Sequence, residues 1–280
     1  MKSKWKIISI TIFILTLIIA GYFIPLFGFG DYTSPTGEFK RGKTIWDWLQ
    51  LLIIPLALAV GAYYLNKKER ELEREVAKDH QQERALQAYL DRMSDLLLGQ
   101  DLQDEKVRNV ARIRTLTVLR GLDARRKGML LLFLNESGLI AKQPEPTINL
   151  CGADLSGAEL EEANLRETSL NGTILSKANL READLTYADL SGANLTQANL
   201  MLVSLYEANL RDVCLENTNL HGAHLDNAEL RGAYFDKTDL SGTYLYGAHF
   251  YSADIDEAAL NKAHFNEEDL YNADPDEEYL

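Results

Sequence analysis

A period of five residues governs the hydrophobic pattern of the second half of the chain. From Leu150 to Leu280 a bulky apolar residue stands at every fifth position except Pro275, and an alanine, threonine or valine usually stands two residues before it. A period of five fits neither the 3.6-residue turn of an α-helix nor the two-residue alternation of a strand. The pattern therefore predicts a backbone that turns regularly.

The recurring motif is Ala-(Asp/Asn)-Leu-x-x, as in Ala153-Asp154-Leu155 and Ala193-Asn194-Leu195. This motif and its spacing resemble those of the pentapeptide-repeat family over about residues 148–280. The resemblance implies a right-handed, four-sided parallel β-helix with four repeats per coil, in which the large central residue and the small residue two before it point inwards. We therefore assign residues 147–280 to a β-helical solenoid, with about six and a half coils and a length near 30 Å from the strand spacing.

Glycines separated by multiples of twenty are expected to stack in one corner of this coil, where a positive φ is least costly for glycine. Asp212 interrupts that column and is expected to tolerate the same turn. The glycines are Gly152, Gly172, Gly192 and Gly232.

Two apolar runs near the N-terminus predict a transmembrane hairpin within residues 1–66. The first run covers about residues 7–29 and the second about residues 45–65, and each is long enough to cross a bilayer as a helix. Trp46 and Trp48 stand where interfacial aromatic residues usually lie. The segment therefore indicates an integral membrane protein, with the bilayer bound through two spans.

Basic residues near the helix ends predict the orientation of this hairpin. Lysines and arginines at both outer ends outnumber those of the intervening loop, which favours both ends in the cytoplasm. We expect a bacterial inner or thylakoid membrane, with the N-terminus and the β-helix on its cytoplasmic side. The outer residues are Lys2, Lys4, Lys6, Lys67, Lys68, Arg70 and Arg74, and the loop residues are Lys40, Arg41 and Lys43.

Residues 67–146 predict an α-helical neck and an N-terminal cap for the β-helix. Helical patterns cover about residues 67–98, 107–119 and 124–135, the last capped by Asp123 and ended near Gly138. The last helix is expected to cover the apolar mouth of the first coil. An apolar stripe along the first helix favours packing on its neighbours over a dimerising coiled coil, and the stripe comprises Leu65, Leu72, Val76, Leu86, Leu90, Met93 and Leu97.

The acidity of the protein belongs to the β-helix. The whole chain has 280 residues and a net charge of −13, whereas residues 151–280 carry 25 acidic and 7 basic residues, or −18. Residues twenty apart should stack, so the sequence predicts an acid ladder, in which like charges repel. We interpret it as a docking stripe for a basic partner or divalent cations, with a solvated surface as the alternative. The stripe comprises Glu216, Asp236, Asp254, Asp256, Asp274 and Asp276.

Other columns indicate structural roles. His224 and His264 share a column two coils apart, too far to ligate one zinc ion. Arg231 and Tyr251 are placed for a cation–π contact. Stacked Asn179, Asn199, Asn219 and Asp239 resemble an amide ladder. Cys151 and Cys214 would lie about three coils, roughly 14 Å, apart, which is too far for a disulfide.

No motif predicts catalysis, a cofactor or a metal site. Residues 37–44 match the letters of a phosphate-binding loop, but a transmembrane span follows where a soluble helix is needed. Glu268, Pro275 and Glu278 break the repeat near the C-terminus, so the last coil is expected to fray.

These observations favour a membrane-tethered protein-interaction or scaffolding module with no catalytic activity. The chain resembles the membrane-anchored pentapeptide-repeat proteins of bacteria, notably cyanobacteria, and its partner would be an unidentified protein. The alternatives are an acidic, DNA-mimicking rod that modulates DNA gyrase, and an accessory protein in envelope transport or assembly. Homo-oligomerisation through membrane or neck helices stays open, and direct nucleic-acid binding is disfavoured because −18 repels phosphate.

Overall fold

The fold is that of a computed structural model, which describes residues 32–33, 36–37, 39–40, 45–99, 102, 104–142 and 146–266. The chain divides into two compact units, 1–77 and 78–280. The helices and the β-helix of the second unit carry most of the buried core.

The first unit contains a short β-hairpin and the start of a long helix. Strands β1 (Tyr32–Thr33) and β2 (Phe39–Lys40) pair antiparallel, with Tyr32 opposite Lys40. Gly37 occupies the connecting turn with a φ of +81°. The segment that resembles a phosphate-binding loop therefore begins in a hairpin turn, which sequence analysis did not predict.

Helix α1 (Ile45–Leu98) is 54 residues long and contains Pro55. It joins the second predicted span and the first neck helix without a break at residue 66. Among the described residues, no helix meets both the length and the hydropathy needed to span a membrane. The first predicted span, residues 7–29, lies outside the described residues, so the transmembrane hairpin is not confirmed.

Helices α2 (Glu105–Gly121) and α3 (Ala124–Glu136) follow in the second unit. The Asp104 side chain accepts a hydrogen bond from the backbone N–H of Lys106, and Asp123 accepts one from Arg126. Such N-caps satisfy amide groups that have no partner within the helix. The predicted helices, the Asp123 cap and the end near Gly138 are confirmed.

The C-terminal part of helix α1, within the second unit, packs on these two helices. Leu86, Tyr89 and Met93 are buried there, whereas Leu72 and Val76 are exposed. The predicted packing of the apolar stripe on neighbouring helices is therefore confirmed for its second half.

Parallel bridges between residues twenty apart define the β-helix. They begin with Asp154 opposite Ile174 and end with Tyr244 opposite His264. Leu155 donates its N–H to the Ile174 carbonyl at 2.8 Å, and Ile174 donates to Ala153 at 2.9 Å. Since each repeat has five residues, four repeats form one coil, and the central and small residues from Leu150 to Phe250 fill its interior. The predicted β-helical fold is confirmed.

The corners of the coil impose a left-handed backbone on almost any residue. Gly152, Gly172, Gly192, Gly232 and Asp212 have positive φ, as predicted. However, thirteen of the described residues with positive φ, Asp212 among them, are not glycine. Such residues cost roughly 1 kcal/mol each, which the ladder of backbone hydrogen bonds offsets.

The regular coil is interrupted earlier than predicted. Residues Glu257–Leu260 form a short helix, α4, and Asp256 caps it by accepting a hydrogen bond from Ala258 N–H at 3.0 Å. The prediction that Glu268, Pro275 and Glu278 cause fraying falls outside the described residues. Residues 257–260 therefore form a helical turn where the sequence pattern predicts a repeat.

Candidate functional site

Three residues of the predicted docking stripe are brought together around Tyr234. Tyr234 stands on one face of the β-helix and is partly exposed. The negative charge of Asp236, burial, and the charges of Glu216 and Asp254 raise the pKa of the Tyr234 hydroxyl. Tyr234 is bridged to Asp254 of the next coil, and Glu216 and Asp236 are twenty residues apart, the spacing of stacked positions. The phenol and the three carboxylates therefore share one surface, which we call the Tyr234 surface.

A lysine partly neutralises this surface, part of the predicted ladder of repelling carboxylates. Lys237 Nζ lies 2.7 Å from Asp236 Oδ2. That hydrogen bond, together with the charge of Asp236, raises the pKa of Lys237. The lysine was overlooked because it belongs to the adjacent corner column rather than to the acidic column itself.

Of the remaining stripe residues, the structure describes only Asp256. Asp256 is engaged as the cap of helix α4. Asp256 also lines a cleft of about 370 Å³ that includes Lys237 and Lys262, so its surroundings carry both signs of charge. Asp274 and Asp276 lie outside the described residues.

Metal binding by the stripe finds no support in the described residues. There, no three histidine, cysteine, aspartate or glutamate side chains converge as a metal site would require.

The histidine column forms a stack of rings. The His224 and Tyr244 centroids lie 4.6 Å apart with an interplanar angle of 3°, and those of Tyr244 and His264 lie 4.9 Å apart. The two histidines therefore contact the same tyrosine from opposite sides.

Two further columns behave as predicted. The Arg231 guanidinium lies 5.1 Å from the centroid of the Tyr251 ring, which confirms the cation–π contact. Asn199 Nδ2 donates to Asn179 Oδ1 at 3.1 Å, one step of an amide ladder. Both cysteines are free.

A buried lysine of helix α3 completes the first coil. Lys127 Nζ donates to Asp154 Oδ1 at 3.0 Å and to the Ser156 carbonyl at 3.1 Å. Burial opposes ionisation of Asp154, but hydrogen bonds from Ser156 and the nearby Lys127 ammonium outweigh it and lower the pKa of Asp154. The first coil has no preceding coil to pair with, so Lys127 supplies donors that another strand would have supplied.

Other cap residues also form hydrogen bonds with the first coil of the β-helix. Glu159 N–H donates to the Ala124 carbonyl at 3.0 Å, and Ser169 N–H donates to the Ile140 carbonyl at 2.8 Å. The Arg112 guanidinium donates to the Asn149 and Cys151 carbonyls. The cap therefore pairs backbone groups of the first coil with side chains as well as with backbone.

Helix α3 approaches the first coil so closely that only glycine fits at one position. A Cβ added to Gly128 would overlap the Glu159 carbonyl oxygen. Sequence analysis missed both Gly128 and Lys127. The signal was an isolated glycine beside a lysine at the start of an apolar helical run, where neither is expected without a packing reason.

Arg126 joins the cap to helix α1. Its guanidinium lies 2.7 Å from Asp79 and 2.9 Å from Glu83, and it also pairs with Asp123. Hydrogen bonds to Asp79 and Glu83 raise the pKa of Arg126 despite some burial. Three carboxylates thus converge on one cation, and two of them, Asp79 and Glu83, attach α1 to the cap within the second unit.

The sequence of these five-residue repeats matches the family described as Pentapeptide repeats. Eight copies are recognised, over residues 148–182, 163–200, 204–242 and 228–267. The chain is a pentapeptide-repeat protein. No curated protein matches it in sequence.

Several solved pentapeptide-repeat structures are similar to this pentapeptide-repeat protein. A protein from the cyanobacterium Nostoc is 30% identical, over 41% of this chain and 86% of its own, with a TM-score of 0.21. HetL of Nostoc, described as involved in heterocyst differentiation regulation, is 33% identical, over 45% and 62%, with a TM-score of 0.24. QnrB1, described as a plasmid-mediated fluoroquinolone resistance protein, is 18% identical, over 44% and 62%, with a TM-score of 0.36.

This pentapeptide-repeat protein thus spans about 62% of the length of QnrB1 and of HetL. Proteins of the family are in general non-catalytic structural or interaction proteins. The assignment to the family rests on the matched repeats and on the twenty-residue register of the bridges.

Proposed function

We propose that this pentapeptide-repeat protein is a membrane-tethered interaction or scaffolding module without catalytic activity. The observation that carries the proposal is the rod itself. Its stacked coils present long faces of exposed side chains over a core of leucine and alanine. Solenoids commonly use such extended surfaces to bind partners.

The tether is proposed from the sequence. Residues 7–29 and 45–65 supply two apolar runs, and the distribution of basic residues favours a cytoplasmic N-terminus and β-helix. A bacterial inner or thylakoid membrane of the cyanobacterial type is the proposed location. Alkaline extraction of native membranes tests it: a tethered chain stays in the pellet and a C-terminal tag is cleaved only from the cytoplasmic side, whereas a chain released to the supernatant refutes the tether.

The Tyr234 surface is the proposed docking site for a basic protein partner. Glu216, Asp236 and Asp254 give it negative charge, and Tyr234 adds an exposed ring of the kind enriched at protein interfaces. Since Lys237 already pairs with Asp236, an incoming cation must compete with it or bind the other two carboxylates. Electrostatic complementarity of this kind mainly sets specificity and association rate.

Charge reversal tests this docking site. Asp236→Lys with Asp254→Lys should abolish capture of the partner after crosslinking in membranes. The matched control is Glu162→Lys with Glu167→Lys, which makes the same change in net charge at two exposed corners of the first coil, where a left-handed lysine is tolerated as at Lys177. Equal loss with both double variants would show that only net charge matters.

A second candidate function is modulation of DNA gyrase by an acidic rod that mimics DNA. The net charge of −18 over residues 151–280 favours it. The compact unit 78–280 is the fragment to test. Inhibition of gyrase supercoiling at micromolar fragment would support this candidate, and unchanged supercoiling would remove it.

A third candidate, an accessory role in envelope transport or assembly, requires oligomerisation, because two spans do not form a pathway alone. Leu72 and Val76 are exposed on helix α1 and are the proposed contact of neck helices in a homo-oligomer. Crosslinking in membranes should then give dimers that Leu72→Glu abolishes. Monomers alone would remove this candidate.

A further inference from the structure

A second surface of the β-helix, on the face of the histidine stack, carries exposed rings around one carboxylate. Beside His224, Tyr244 and His264 runs a corner column in which Tyr206, Asp226 and Tyr246 occupy successive coils. The Tyr244 and Tyr246 centroids lie 6.5 Å apart, so the two columns are in contact. We call these six residues the aromatic face.

The aromatic face is unusually apolar for an exposed part of this rod. Tyr206, Tyr244 and Tyr246 are 36%, 36% and 42% exposed, and Leu202, four residues before Tyr206 in the chain, is 45% exposed. They are four of the six large apolar residues of the described β-helix that are exposed, the others being Ile174 and Tyr234. Clusters of this kind mark interaction sites, whereas isolated apolar residues do not.

The six residues of this face include one carboxylate, Asp226, and no lysine or arginine. Asp226 accepts a hydrogen bond from Tyr246 N–H at 3.3 Å, and its other oxygen lies 3.8 Å from His224 Nδ1. The columns that begin at Ser204, Tyr206 and Glu207 contain no lysine or arginine up to Asn266. The Asp226 carboxylate therefore keeps lone pairs available for an external donor.

We infer that the aromatic face binds an arginine side chain presented by a basic segment of a partner protein. His224 and His264 cover the two faces of the Tyr244 ring, so the ring that a guanidinium can stack on is that of Tyr246. The same guanidinium can donate to Asp226, which combines cation–π and charge-assisted hydrogen bonding. Lysine offers a compact, strongly hydrated charge that gains less from rings. The inference rests on the proposed function in that both treat the β-helix as a protein-binding rod, but it concerns a different face from the Tyr234 surface.

The probes that test it are two fluorescein-labelled peptides of equal length and charge, oligo-arginine and oligo-lysine, titrated against the purified full chain. The chain should bind oligo-arginine about fivefold more tightly than oligo-lysine, since the exposed Tyr246 ring contributes one cation–π contact. Tyr244→Ala with Tyr246→Ala should abolish that preference without changing net charge. Ile174→Ala removes an apolar side chain that is 39% exposed elsewhere on the β-helix and belongs to neither surface, so it should leave the preference intact.

A second variant keeps the test valid if the double alanine variant unfolds. Asp226→Asn retains the shape of the side chain and should weaken oligo-arginine binding about tenfold, the loss of one charged partner. Equal affinity for the two peptides in the unaltered chain, or an equal loss in the Ile174→Ala variant, would overturn the inference and show that the aromatic face does not select arginine. Neither result bears on the Tyr234 surface, whose test is the charge reversal of Asp236 and Asp254.

Discussion

The Lys127 ammonium lies 3.0 Å from Asp154 Oδ1, so a helix of the cap supplies the cation that a carboxylate of the first coil requires. Lys127 is almost fully buried and Asp154 is partly exposed. Removing the lysine would leave the carboxylate and the Ser156 carbonyl without this donor. The pair therefore links docking of the cap to stability of the β-helix.

Lys127→Met should lower the free energy of unfolding by about 2 kcal/mol, because it removes hydrogen bonds from a charged donor. The pKa of Asp154 is lowered from its ordinary 3.8 in the fold, so its stabilising contribution is present above pH 4 and is lost as pH falls through the lower folded pKa. Urea unfolding measures the effect. Lys106→Met, at an exposed lysine of α2, is the control and should change stability by less than about 0.5 kcal/mol; equal effects would contradict the role of Lys127.

Gly128→Ala should displace helix α3 from the first coil, because the new methyl group overlaps the Glu159 carbonyl. We expect a loss of about 1–3 kcal/mol, the usual cost of overpacking. Gly121→Ala is the matched control, since no atom lies within 4 Å of an added Cβ there. Thermal unfolding compares the two variants, and an unchanged midpoint for Gly128→Ala would show that the cap is not seated as described.

Leu195→Ala should destabilise the β-helix by about 2–5 kcal/mol, because it opens a cavity beneath a fully buried central position. Leu202→Ala removes the same atoms from a corner residue that is 45% exposed and should cost much less. Denaturant unfolding of both variants measures the difference. Equal losses would mean that the five-residue register is misassigned.

Tyr89 should make stability fall at alkaline pH. Its hydroxyl contacts Thr115 Oγ1 at 2.7 Å, and burial raises its pKa to about 12 against the opposing effect of that hydrogen bond. Because the pKa of Tyr89 is higher in the folded than in the unfolded state, its contribution to the free energy of unfolding is complete below the unfolded pKa of 10. That contribution is lost as the pH rises through the folded pKa of about 12.

Tyr89→Phe removes this titration. The stability advantage of the unaltered chain over Tyr89→Phe should shrink by about 1.4 kcal/mol between pH 8 and pH 11. Urea unfolding at the two pH values gives the number. An advantage that stays constant would show that the hydroxyl is open to solvent.

The five-residue period determined most of the fold that could be predicted from sequence. It placed Leu155 and Ala153 in the core and His224 beside Tyr244, because a fixed register leaves each side chain only one column. It could not predict Lys127 or Gly128, since the docking of a helix on the first coil depends on contacts between segments without a shared period. It also missed the pairing of Lys237 with Asp236, because a corner side chain can reach a neighbouring column.

Site-specific photo-crosslinking in native cells tests most directly whether the β-helix is a membrane-tethered docking rod. A benzophenone amino acid replaces Tyr234, and crosslinked species are then sought in alkali-resistant membranes. We expect one discrete protein adduct in the membrane fraction, lost with Asp236→Lys and Asp254→Lys and kept with Glu162→Lys and Glu167→Lys. A soluble chain, no adduct, or an adduct that survives the Asp236 and Asp254 reversal would contradict it.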